Sequence, residues 1–151
     1  MIRVQEAPFD VGTELAALTR GRTDIGGLAS FVGLVRDLAG DQPITAMTLE
    51  HYPGMTEKKL AEIEAEAHAR WVLQASLIVH RYGRMLPGEP IVLVATAAPH
   101  RAAALEACAF LIDWLKTEAP FWKLEETPDA ARWVEARASD DRAAARWQQA
   151  R

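Results

Sequence analysis

Apolar and polar positions alternate along Ile2 to Glu6, which predicts a short half-buried strand, and Asp10 stands where it would cap a helix running to about Arg20. The stretch GGLASFVGLVRD, opened by Gly26 and Gly27, predicts a second strand interrupted at Gly33, where a glycine marks a bulge or a close backbone approach. The loop LAGDQP follows. The alternating run from Ile44 to Tyr52 then predicts a partner strand. After a turn at Pro53-Gly54, Leu60, Ile63, Ala67 and Trp71 recur at helical spacing, with Glu and Lys between them as a solvated face.

LQASLIVHRYG predicts a further strand, followed by the breaker-rich loop RMLPGEP. IVLVATAA is apolar almost throughout and rich in β-branched residues, as expected of a central strand buried on both faces. Pro99 ends it, and HRAAALEACAFLIDWLKTEA predicts the second long helix. Beyond Pro120, FWKLEE and ARWVEA are strand-like runs around the turn TPDA, and the alanine- and charge-rich tail from about Ser139 is expected to be a frayed helix. No internal repeat and no long linker interrupts the chain, so residues 1–151 are expected to form a single domain. The pattern predicts an α+β sandwich of mostly antiparallel strands with two main helices.

Composition narrows what such a domain can do. The chain has 151 residues with a formal net charge of -4, half of them hydrophobic and a quarter charged. An acidic protein does not coat nucleic acid, so any anion site must be a local concentration of basic groups. The first residues show no apolar run with a small-residue cleavage site, and no stretch is long and apolar enough to span a bilayer. A single cysteine, Cys108, excludes an intrachain disulfide and a cysteine-based zinc knuckle. A reduced, cytoplasmic protein is expected, without membrane or nucleic-acid partners.

The stretch LKTEAPFWK carries the most pointed chemistry, with Lys116 and Lys123 seven residues apart around a proline and two aromatics. On a helical wheel, Leu105, Cys108, Ala109, Ile112 and Lys116 fall within one arc, in line with the apolar stripe. Two readings stand there. The lysine stem covers apolar surface while its amine reaches water, or the amine is partly desolvated and able to move protons or stabilise negative charge. His100-Arg101 opens the same helix, where a basic pair opposes the dipole unless an anion offsets it. Arg36 follows the glycine-containing strand and by itself reads as a surface residue. Phe31 and Trp122 read more readily as core than as ligand platforms, and mid-helix Cys108 as an inert packed thiol. His51, His68 and His80 show no metal-ligand spacing, and His80-Arg81 reads as structural. No phosphate-cradling glycine loop and no serine nucleophile motif is present.

In combination, FVGLVRD, LEHYPGMTEKKL, HRYG with the later PGE, PHRAAALEA, and LKTEAPFWK followed by WVEAR resemble one family: the large, catalytic subunit of molybdopterin synthase. The match runs in the family's order from near Ser30 to Arg137. The family commonly has Phe where this chain has Leu105, and lysine or threonine at Leu34; both departures read as packing or rim changes. The resemblance implies an α/β hammerhead-like fold and transfer of two sulfurs to cyclic pyranopterin monophosphate, forming the molybdopterin dithiolene. It implies a small ubiquitin-like partner whose C-terminal thiocarboxylate supplies the sulfur, and a homodimer of large subunits within a heterotetramer. Lys116 and Lys123 match the family's active-site lysines; Arg36, His100 and Arg101 match its anion-binding groups, and Phe31 a pocket-lining aromatic. No cofactor or metal is implied, and Arg137 of a neighbouring copy is a further candidate. A non-catalytic module that binds the tail of a ubiquitin-like partner is the alternative.

Overall fold

The computed structural model describes residues 1–134 and 138–148. In chain order these form β1 (Ile2–Gln5), α1 (Val11–Thr19), β2 (Gly27–Leu34), β3 (Leu38–Ala39), β4 (Gln42–Pro43), β5 (Ala46–His51) and α2 (Met55–Arg70). There follow β6 (Ala75–Arg81), β7 (Gly83–Met85), β8 (Pro90–Ala98), α3 (Arg101–Glu118), β9 (Phe121–Glu126), β10 (Ala131–Val134) and α4 (Ala138–Ala145).

Two four-stranded sheets carry the architecture, in the orders β1-β6-β8-β2 and β10-β9-β5-β7, with β3 and β4 as a separate small hairpin. All pairings are antiparallel except β1 with β6, which run parallel. The α+β prediction therefore holds. The apolar run expected to be central is β8, flanked by β6 and β2 and buried at every position after Pro90. Its continuous burial follows from helices on both faces of the first sheet. On one face Leu77, Val79, Leu93 and Ala95 pack beneath Leu15 and Leu18 of α1. On the other, Ile78, Val92 and Val94 meet Leu60 and Ile63 of α2 and Cys108, Phe110, Leu111 and Leu115 of α3.

Gly33 behaves as its sequence position predicts. The β2–β8 register shifts between Gly33 and Leu34, and a Cβ at Gly33 would lie 2.8 Å from Val92 Cγ1. A side chain there would push β2 off β8, so glycine is required by close approach. The bulge turns the chain at Leu34 toward the second sheet. A third cluster, Val35, Met47, Leu49, Met85 and Ile91, fills the space beneath that sheet.

The tail is more ordered than its composition predicts. Ala144 in α4 is buried, and beyond the helix Trp147 packs edge-on against Trp71 and Phe110 while donating to Asp113 Oδ2 at 2.8 Å. One large aromatic with a hydrogen-bond partner anchors an otherwise weak helix.

Candidate active site

The C-terminal end of α3 meets the second sheet at a cavity of about 330 Å³. Lys116 lies in the last turn of the helix, where a cation is favoured by the dipole, and it lines this cavity. Leu115 beside it is buried, whereas Lys116 itself is exposed. The buried stripe of α3 runs through Ala104, Ala107, Cys108, Leu111 and Leu115, and Leu105 is 60% exposed. Lys116 thus flanks the apolar stripe instead of continuing it, which corrects the wheel-based alignment.

Pro120 ends the helix trajectory and β9 returns at once. Alternation along β9 places Phe121, Lys123 and Glu125 on the cavity side, and all three line it. Trp122 takes the opposite face and is 49% exposed, not core as its hydrophobicity suggests. Arg36, carried past the β2 bulge, lines the same cavity. Helix break, strand alternation and bulge together bring Arg36, Lys116 and Lys123 around one space, although 87 residues of sequence span them (Arg36 to Lys123).

Among the described residues two carboxylates share the lining, Glu125 and Asp140. Glu125 is 4% exposed; its Oε1 lies 3.5 Å from Lys123 Nζ and its Oε2 lies 4.0 Å from Arg132 Nη2. Among the described residues Oε2 accepts no hydrogen bond. This buried charge is tolerable because cations flank it on both sides. Among the described lining residues the three basic side chains outnumber the two acids, which favours an anion there.

His80 reads as structural from its sequence position, and it is a buried part of the cavity wall. Its ring stacks on Phe121 at 3.8 Å between centroids and 17° between planes. Nδ1 lies 2.8 Å from the Arg81 carbonyl oxygen. A carbonyl only accepts, so Nδ1 carries the proton. Burial, and next the charge of Lys116, push the His80 pKa down to about 3, and the ring is neutral at ordinary pH. Alternation in β6 was the available signal, since Ile78 on the helix-facing side puts His80 on that side too.

Phe31, His100 and Arg101 do not join this cavity. Phe31 stands 41% exposed in the middle of β2, an edge strand. His100 and Arg101 are exposed at the start of α3, and His100 makes no side-chain cap. Fifteen residues of helix put Arg101 about 22 Å from Lys116, beyond the reach of either side chain. Arg137 lies outside the described residues.

Cys108 Sγ faces the Val94 carbonyl oxygen at 3.8 Å, and burial raises its pKa to about 11. Such a thiol is a poor nucleophile. Among the described residues no cluster of His, Cys, Asp or Glu could hold a metal ion, and no helix is long and apolar enough to cross a membrane.

Fold and site together define an α+β protein with a cationic cavity set between its two sheets, around the end of its longest helix. A family model described as MoaE protein matches residues 4–118, and the chain belongs to that family. It is 56% identical to the molybdopterin synthase catalytic subunit of Ralstonia nicotianae, over 97% of this chain and 83% of that protein. Among solved structures it resembles the molybdopterin biosynthesis MoaE protein from Burkholderia ambifaria, with a TM-score of 0.84, 56% identity, and coverage of 98% of this chain and 97% of that one. The same fold, at a TM-score of 0.75 and 21% identity, occurs in a protein–protein complex of subunits 1 and 2 of the molybdopterin-converting factor from Helicobacter pylori, covering 90% of this chain and 91% of that one.

Proposed function

We infer that this chain is the catalytic subunit of a molybdopterin synthase, a sulfurtransferase of molybdenum cofactor biosynthesis. Membership of the MoaE family and 56% identity over nearly the full chain to a protein of that name support the reading. The observation that carries the chemistry is the meeting of Lys116, Lys123 and Arg36 in one cavity.

The finer mechanism is our proposal. Sulfur arrives as the C-terminal thiocarboxylate of a small ubiquitin-like subunit and is transferred to cyclic pyranopterin monophosphate. Both reactants are anionic, and charge-assisted hydrogen bonds from lysine and arginine suit them. Lys116 stabilises the negative charge that forms when the thiocarboxylate adds to the pterin side chain, or moves the proton this step requires. Lys123 and Arg36 hold phosphate and carboxylate. A sulfur carrier outside the chain fits its inert thiol, because a resident persulfide needs an accessible, activated cysteine. His100, Arg101 and Phe31 belong to the proposal through a second copy in a homodimer, since one helix holds the basic pair far from Lys116. A heterotetramer, with a small subunit on each large one, completes the assembly, which we place in the cytoplasm.

A single-turnover assay tests the reading. The protein is mixed with thiocarboxylated small subunit and cyclic pyranopterin monophosphate, and dithiolene product is read by fluorescence after oxidation. Product that vanishes in Lys116→Ala is expected. A stable complex that yields no product with the unaltered chain would leave a tail-binding module instead.

A further inference from the structure

His80 is a buried member of the cavity wall to which the proposed reaction assigns no task. Its ring is fixed from two directions, by the Nδ1–H bond to the Arg81 carbonyl and by the stack on Phe121. Phe121 in turn has His51 on β5 as its neighbour, at 6.1 Å between ring centroids, and His51 lies against Tyr82 at 4.6 Å. The imidazole is therefore the end of an aromatic row, with little freedom to rotate. With the proton on Nδ1, Nε2 is a bare lone pair.

We propose that His80 is a positioning residue for Lys116: its Nε2 accepts a hydrogen bond from the Lys116 ammonium and holds that group in register with the reacting atoms. The inference rests on reading Lys116 as the reacting amine. His80 and Lys116 line the same cavity of about 330 Å³, and the charge of Lys116 is felt at His80.

A neutral acceptor suits this site better than a charged one. A carboxylate next to Lys116 would hold the amine firmly but cancel the charge that attracts two anionic reactants. An imidazolium would repel it. A histidine kept neutral by burial holds the ammonium without spending its charge. Among the described residues, the other charged groups around the cavity are Arg36 beyond β2, Lys123 and Glu125 on β9, and Asp140 on α4. Glu125 stands between Lys123 and Arg132, and among the described lining residues His80 is an uncharged acceptor.

The sign of the effect follows. An acceptor for the ammonium favours the charged form, so losing it lowers the Lys116 pKa. The alkaline limb of kcat, where the ammonium is lost, then moves to lower pH. His80→Phe keeps an aromatic ring without the acceptor, His80→Leu fills the space with neither ring nor acceptor, and His80→Gln returns an acceptor of similar reach. In the complete complex with thiocarboxylated small subunit, both acceptor-free variants should lose about tenfold in kcat, with KM for the pterin changed less than about twofold. Their alkaline limbs should move down by about one pH unit, and His80→Gln should restore the limb. The remaining cavity charges are the same in every variant, so the displacement reports on His80.

If one acceptor-free variant fails to fold, the other carries the test. Alkaline limbs that coincide with the unaltered enzyme overturn the proposal even where kcat falls, because a packing role predicts that result. A displaced limb that His80→Gln does not restore overturns it as well. Lys116→Ala run alongside separates the two readings. Retained turnover there removes Lys116 from the reaction, whereas an inactive Lys116→Ala with unmoved His80 limbs removes only the positioning role.

Discussion

The two ends of α3 carry basic side chains in opposite circumstances. At the start, His100 and Arg101 are exposed on a turn whose free N–H groups already favour an anion. At the finish, Lys116 complements the dipole and stands in a cavity walled by the second sheet. The same helix thus supplies a complete-looking site at one end and an unmatched pair at the other. The contrast teaches that a basic residue's meaning lies in what encloses it. Enclosure at the Lys116 end comes from Pro120, which stops the helix so that β9 can fold back with Lys123.

The largest expected effect tests the enclosed end. Lys116→Ala should lower turnover by about 10²- to 10⁴-fold, the range for a group acting on the reacting atoms, while small-subunit binding measured by calorimetry is kept. Arg36→Ala and Lys123→Ala should each raise KM for the pterin by about tenfold or more, as expected for a lost charge-assisted hydrogen bond. The open end gives a sharper test through mixed dimers. If Arg101 of one copy serves the cavity of another, mixing Lys116→Ala with Arg101→Ala should regenerate unaltered sites. Recovery to about a quarter of normal turnover is expected for random pairing of two copies. No recovery would mean that both ends act within one chain, or that Arg101 is not used.

A smaller effect concerns stability. His80 has its pKa depressed from 6.5 to about 3 in the fold, so the unfolded chain binds the extra proton between those values. Stability is therefore fully present above about pH 6.5 and declines as pH falls, by about 1.4 kcal/mol per unit from this one group. Urea midpoints between pH 6 and 4.5 should show that slope, and it should flatten in His80→Phe. The smallest effect belongs to Cys108. Cys108→Ala should keep full sulfur transfer and cost about 1 kcal/mol of stability from lost packing, and loss of transfer in a folded variant would place the sulfur on this chain.

Much of this was legible before any coordinates. The long apolar run of β8, the helical spacing from Leu60 to Ala67 and the glycine bulge in β2 each report on local geometry, and each stands where the pattern puts it. Pairings between distant segments were not legible. The parallel partnership of β1 with β6 depends on the layer of helices above it, which no local pattern encodes. The strand β7 escaped notice because it is short and begins at Gly83, whose φ of 89° lets the chain leave one sheet for the other within two residues of β6. The small β3–β4 hairpin hid in LAGDQP for the same reason of length.

In the site, the lysines around Pro120 announced themselves, since two cations flank a helix break with a pair of aromatics between them. Trp122 did not, because strand alternation gives its face to solvent while its composition argues for burial. His80 was the deeper omission. A histidine at a strand end reads as structural, and its place in a cavity wall emerges only when the sheet it belongs to and the residues of the second sheet that share the lining are both known.

The position of α4 has a consequence for how the protein is made. Asp140 lines the cavity, and Thr117 on α3 donates to the Asp140 carbonyl at 3.2 Å, so α4 is fastened beside Lys116. During synthesis the first sheet and α3 emerge before this last wall does. Until α4 docks, the side of the cavity that Asp140 lines is therefore bare.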